Sequence, residues 1–351
     1  MGELSGKIGH QLFENLIFSR CGFPRKEVLA GPQFGVDVSI VALENGMGLA
    51  MCSDPLSLIP TLGLEESAWL SVHLTANDMA TTGFAPQYGQ FVLNLPNTLS
   101  REDFKIYWEY IHQFCSEIQL AVTGGHTGFI EGLNSSIAGG VTFTTVAPAP
   151  QLLTSKGAKP GNTLLLTKGC AISSAAILAM SFPETVKQKA GMEIHSLACA
   201  SFYQTSSLPD ALAAVGEERE HSGITAMHDV TEGGVLGAVY ELAVASGNGV
   251  KIYADALPVW PVQQQICEIF SLDPRYSIGA GAMLIACENQ IAAGVIERLS
   301  CASIPCTAIG ELCAAEEGMR LIDENSETPL NYQETDPYWE AFFTALNRGW
   351  K

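Results

Sequence analysis

Four aspartates and two glycine pairs carry most of the chemistry this sequence can offer. Asp37 follows the segment GPQFG, Asp54 stands in CSDP, Asp78 follows Asn77, and Asp229 sits in HDVTEGG. Carboxylates at the ends of strands and helices can converge across a cleft. Grouped acids without lysine neighbours repel one another and invite a cation. An all-oxygen set suits Mg²⁺, which shares such ligands with substrate phosphates. Taken singly, each aspartate is better explained by turn or capping duty. The spacing itself specifies no metal site.

The glycine pairs suggest anions. In Gly124-Gly125-His126-Thr127-Gly128, the backbone N–H groups of a bend can form an anion-binding concavity. His126 there can donate to phosphate or act as an acid–base group. Gly233 and Gly234 stand at the mouth of a helix, where unpaired N–H groups favour negative charge. His228 and Asp229 are adjacent on an expected strand, so they face opposite ways and form no dyad. Lys168, after an apolar strand, reaches a phosphate or snorkels at the strand end. Neither GxGxxG nor GxxxxGK[ST] occurs, so Rossmann and P-loop readings have no motif.

The hydrophobic pattern shows what must position these groups. Residues 7–19 read as a short amphipathic helix. Residues 39–54 read as strand, turn and strand about Asn45-Gly46, closed by Asp54-Pro55. A helical period covers 65–80 and places Asn77 and Asp78 in its last turns, where acids oppose the helix dipole. Ser100 and Asp103 have capping-box spacing ahead of a helix with Phe104, Tyr107, Trp108, Ile111 and Cys115 on one stripe. Residues 87–95, 121–125 and 135–146 are strands, and Ala147-Pro148-Ala149-Pro150 is a linker. Beyond it come strands at 162–169, 249–257, 281–287, 307–312 and 319–323. Helices begin at 173 and 291, run over 192–211 up to Pro209, and follow Gly234. The fold class is α/β (α+β), with domains at 1–148 and 151–351. Hairpin-like pairs favour mixed or antiparallel sheets over a doubly wound parallel one.

Composition sets outer bounds. A chain of 351 residues is long enough for two domains, and 47% apolar against 16% charged residues describes a buried, globular interior. The net charge of −19 repels nucleic acid and anionic lipid, but not a nucleotide bridged by a metal ion. Ten cysteines without a CxxC pair read as thiols in a reducing compartment. A basic-then-apolar leader and a long apolar run are both missing from the sequence, so the expected location is the cytoplasm, with no membrane.

Several segments, in order, resemble the AIR synthase-related (PurM-like) superfamily, most of all its HypE-like branch of hydrogenase maturation factors. They are residues 31–43, 52–56, 72–88, 122–129, 159–169 and 228–250, with GAMLIAC and IGEL near the end. The resemblance spans most of residues 5–325. It implies a two-domain PurM-like fold whose N-terminal mixed sheets join in a barrel-like homodimer. It implies ATP and Mg²⁺ as cofactors and phosphoryl activation of an amide, carbonyl or similar oxygen. By this likeness Asp37, Asp54, Asp78 and Asp229 are the metal ligands, and Asp229 and His126 the catalytic residues. Those four aspartates, with Asn77, Gly124, Gly125, His126, Thr127, Gly233 and Gly234, make up the nucleotide site. Two positions depart from the family: Val36 where Glu is frequent, and Gly128 where an acid often follows. The HypE branch carries its substrate on a C-terminal cysteine, whereas the last cysteine here is Cys313. The acceptor is thus left open, as a small molecule or a protein-bound group. The alternative is a nucleotide-binding assembly factor for a metalloenzyme such as nickel–iron hydrogenase, without turnover.

Overall fold

A computed structural model describes residues 6–217, 219, 222–324 and 326–351. The start of the N-terminal segment, residues 1–5, lies outside the described residues. A short helix, α1 (His10–Leu16), precedes the first sheet. That sheet contains β1 (Val28–Ala30), β2 (Ser39–Ala42), β3 (Met47–Ser57), β4 (Tyr88–Pro96), β5 (Ala121–Ile130) and β6 (Ile137–Pro148). Their order is β1-β2-β3-β6-β4-β5, antiparallel except for β4 with β5.

Period-two patterning decides which face is covered. Phe91, Leu93 and Leu95 of β4, with Val141 and Phe143 of β6, turn toward the core shared with α2 (Leu64–Ala80) and α3 (Arg101–Glu117). Tyr88 and Val92, on the other face, remain exposed. The cap of α3 forms as its spacing suggests. The Asp103 N–H donates to Ser100 Oγ at 3.0 Å, and that hydroxyl donates to the Asp103 carboxylate at 2.7 Å.

The second sheet holds β7 (Asn162–Thr167), β8 (Ile224–Asp229), β9 (Gly249–Tyr253), β10 (Met283–Glu288), β11 (Cys306–Cys313), β12 (Met319–Ile322) and β13 (Glu327–Pro329). The order is β13-β12-β9-β11-β7-β10-β8, with only β9 and β12 parallel. Its helices are α4 (Ile172–Ser181), α5 (Pro183–Ala200), α6 (Leu208–Val215), α7 (Gly234–Ser246), α8 (Pro261–Ile269), α9 (Ala292–Cys301) and α10 (Pro337–Asn347). Leu164, Leu166 and Ala226 pack on α7. Leu165, Met227 and Ile285 face the other way, into one core with Ala211 of α6, Val295 of α9 and Met79 of α2. That core joins the two sheets and brings the ends of α2 and β8 together.

Four expectations change. The first sheet is open and forms no barrel: β1 and β5 are its edges and do not pair, and β1 has only three residues. β3 runs past Asp54-Pro55 to Ser57, because the ladder to β6 continues through Asp54–Val141 and Pro55–Gly140. Gly124 and Gly125 make no bend. They lie inside β5, with Gly125 at φ +142°, where an added side chain would strike the Phe91 carbonyl. Pro209 opens α6 from its first turn, where a missing N–H is harmless. It does not close a helix over 192–211.

Candidate metal and nucleotide site

Strand alternation sends Met227 and Asp229 toward α2, and Ala226 and His228 toward α7. Asp78, near the C-terminal end of α2, meets Asp229 there. Asp37 arrives from the loop between β1 and β2. One oxygen from each of Asp37, Asp78 and Asp229 lies within 4.8 Å of the other two. Gly35 lets that loop come close: it has φ +72°, and a Cβ on it would strike the backbone of Glu241 in α7.

The electrostatics are those of buried acids on which burial and mutual repulsion outweigh the pull of nearby Lys7 and His228. Burial, then the charge of Asp37, pushes Asp229 up to about 8. Burial, then Asp229, Asp54 and Asp37, holds Asp78 well above the usual carboxylate range. Asp54 lies on the covered face of β3, outside the close group of three, and burial raises it to about 6. Oxygen donors alone, crowded from both halves of the chain and repelling one another, fit a hard divalent cation such as Mg²⁺.

A chain of ion pairs backs the triad. His228 Nδ1 lies 2.8 Å from Asp37 Oδ2, and its Nε2 lies 3.2 Å from Glu241 Oε2. Glu241 also accepts from Lys7 Nζ at 3.2 Å and from the Tyr332 hydroxyl at 3.2 Å. Burial alone would lower His228, but the two carboxylates override it and hold the imidazole at about 10. Burial would raise Glu241; Lys7 and His228 bring it down to about 2. The Lys7 main-chain N–H donates to Glu232 Oε2 at 2.8 Å, which straps the N-terminal segment beside the acids.

Other expected site residues lie elsewhere or are already engaged. His126 on β5 pairs with Val92, on the open face of the sheet. Asp54 faces the covered side, and three strand spacings, roughly 14 Å, separate it from β5. Thr127 is exposed on the same edge strand. Asn77 donates to the Thr205 carbonyl at 2.9 Å and accepts the Ser207 N–H at 2.7 Å, so both ends of its amide bind backbone. Lys168 donates to the carbonyls of Gln204, Ser206 and Gly281 at 2.7–3.0 Å and pairs with Asp210 at 3.1 Å. The mouth of α7 is likewise filled. The Gly233 N–H donates to Asp336 Oδ2 at 2.6 Å, and the Leu236 N–H donates to the Arg275 carbonyl. Gly234 meets the backbone of residues 275–277, where a Cβ would lie 2.7 Å from the Arg275 oxygen. Gly234 thus serves close packing against that loop.

Sequence reasoning missed Lys7, Glu241, Tyr332 and Asp336. Only Glu241 left a signal: it is the one charged residue in the otherwise apolar run 234–246. The others act across separations of 91 to 234 residues, which no local pattern records.

The model of the AIR synthase related protein N-terminal domain matches residues 35–147, and that of its C-terminal domain matches 159–322. Carbamoyl dehydratase HypE of Cupriavidus necator is 26% identical over 260 residues, 72% of this chain and 69% of that protein. The Escherichia coli protein of that name is 28% identical over 237 residues, 66% of this chain and 65% of its own length. The match to the E. coli protein thus spans slightly under two thirds of that relative. Selenide, water dikinase of Methanocaldococcus jannaschii is 25% identical over 86% of each chain. Among solved structures, one from a HypE–HypF complex superposes with a TM-score of 0.72 at 18% identity, covering 92% of this chain and 99% of that one. HypE in complex with ATP gives 0.67 at 18% identity, covering 94% of each. At such identities the superpositions show the fold.

Proposed function

We propose that this chain, which belongs to the AIR synthase related family, is an ATP-dependent enzyme that activates an acceptor oxygen by phosphoryl transfer. The acceptor class is an amide, a carbonyl or a similar group. One observation carries the reading: Asp37, Asp78 and Asp229 converge from both halves of the chain on a single point. Asp37, Asp78 and Asp229 would hold Mg²⁺ there, and the ion would supply charge neutralisation to the nucleotide phosphates. Asp78 and Asp229 present their carboxylates from a helix and a strand, and Asp37 presents its own from the Gly35 loop. Asp54 adds negative charge beside them. The curated relatives named carbamoyl dehydratase and selenide, water dikinase, and the solved HypE–ATP complex, support the nucleotide and the reaction class.

His126 fits such a site only if it is supplied by another copy, because in its own chain it points to the opposite face. We therefore assign the open face of the first sheet to a homodimer contact. A non-catalytic assembly role has one support, the likeness to a HypE captured with HypF. Mg²⁺-dependent conversion of ATP, followed by phosphorus NMR with a panel of amide and carbamoyl acceptors, separates the readings. The enzyme reading predicts turnover that Asp229→Asn lowers by at least about a hundredfold. Tight ATP binding with no turnover in either protein would favour the assembly factor.

A further inference from the structure

Of the three triad acids, Asp78 and Asp229 stand on regular elements and Asp37 stands on a loop. A loop carboxylate needs support from outside to keep one oxygen aimed at a cation. The support present is an ion pair with the His228 imidazole, 1% exposed: Nδ1 lies 2.8 Å from Asp37 Oδ2, outside hydrogen-bond alignment, and is hydrogen-bonded to Ser155 Oγ at 3.2 Å. Its other nitrogen faces Glu241, and rotating the ring would lose both carboxylates at once. Glu241 is itself fixed from three directions, by His228, Lys7 and Tyr332. It is the only charged residue of α7 and is 1% exposed. A carboxylate so deep in an apolar helix is costly unless paired.

We propose that Glu241 and His228 are a positioning pair for the metal site, Glu241 holding the imidazole and the imidazole holding Asp37. The inference rests on the reading of the acid triad as a divalent-metal site. It explains how two neighbours that face opposite sides of β8 both serve one centre: Asp229 directly, and His228 through Asp37. It also joins the N-terminal segment to the site, because the carboxylate that fixes His228 is the one that tethers Lys7.

The test is a Mn²⁺ titration of the full chain, with free Mn²⁺ read by electron paramagnetic resonance. Wild type is compared with Asp78→Asn, His228→Gln and Glu241→Gln, each checked for folding by circular dichroism. Wild type binds Mn²⁺ and Asp78→Asn loses it. His228→Gln and Glu241→Gln each raise the Kd about tenfold or more, as removal of groups that orient metal ligands does elsewhere. Wild-type affinity in folded His228→Gln and Glu241→Gln, with Asp78→Asn still impaired, overturns the positioning pair and leaves the metal site standing. Failure of wild type to bind Mn²⁺ overturns both. Should the buried variants not fold, ¹⁵N-histidine-labelled wild type decides. The ring nitrogens of His228 shift on Mg²⁺ addition if the imidazole holds a metal ligand, and unmoved resonances reject the proposal.

Discussion

An aspartate whose carboxyl is held near 8, as at Asp229, binds its proton more tightly in the folded chain than in the unfolded one. The ordinary value is 3.8, so between the two values the folded state carries the extra proton and stability falls as pH rises. Asp78 acts in the same direction. His228, raised from 6.5 to about 10, contributes fully below 6.5 and loses that contribution as pH climbs toward 10, again the same sign. Glu241, near 2, stays ionised and adds no slope. In EDTA the melting temperature is therefore predicted to fall between about pH 6.5 and 8, and Mg²⁺ to flatten that fall by binding the ionised acids. A flat or rising profile in EDTA contradicts the triad electrostatics. At this scale the sequence was informative about residue type. All three triad members are among the four aspartates named from their position at element ends; the fourth, Asp54, stands outside the triad. Partners were not legible, because Lys7 and Glu241 are 234 residues apart.

The mouth of α7 tests the account at the scale of elements. A glycine pair before a helix is compatible with an anion or with a close-packed loop, and local pattern does not separate the two. What fills this mouth comes from far along the chain: Asp336, which also caps α10 by accepting the Tyr338 N–H at 2.8 Å. Gly234, at φ +63° and against residues 275–277, has no room for a side chain. Gly234→Ala is predicted to cost about 1–3 kcal/mol of stability while nucleotide affinity of the folded fraction stays unchanged. Denaturant melts and calorimetry on one preparation check both halves. Normal stability with lost affinity would restore the anion reading. Strands were read well for a related reason. Burial on one face imprints alternation on 87–95 and 135–146, and the observed β4 and β6 overlap these ranges, β6 running on through Ala147-Pro148, where the sequence suggests a linker. The glycine run in β5 misled because extended and bent glycines look alike in sequence. Backbone contact with Phe91, not composition, decides between them.

On the scale of the whole molecule, the first sheet buries one face and leaves the other open. Tyr88, Val92 and Ile130 stand exposed on that face of β4 and β5. Apolar surface of this kind marks an interaction site. Light scattering at low micromolar concentration is predicted to give about twice the 37.4 kDa chain mass, and Val92→Glu to shift it toward the monomer. A monomer in wild type would remove the route by which His126 joins the site. The same open sheet explains why a barrel could not be settled from sequence. Strand content was readable, but closure depends on which edges meet, and here β1 and β5 do not.

Convergence of Asp37, Asp78 and Asp229 on one metal-bound nucleotide is tested most directly by calorimetric titration of ATP with and without Mg²⁺. Wild type is compared with Asp78→Asn, whose amide keeps the shape and removes the charge. The account predicts Mg²⁺-dependent binding to wild type, weakened at least about tenfold in a folded Asp78→Asn protein. ATP affinity that is the same in both proteins, or that ignores Mg²⁺, would contradict it.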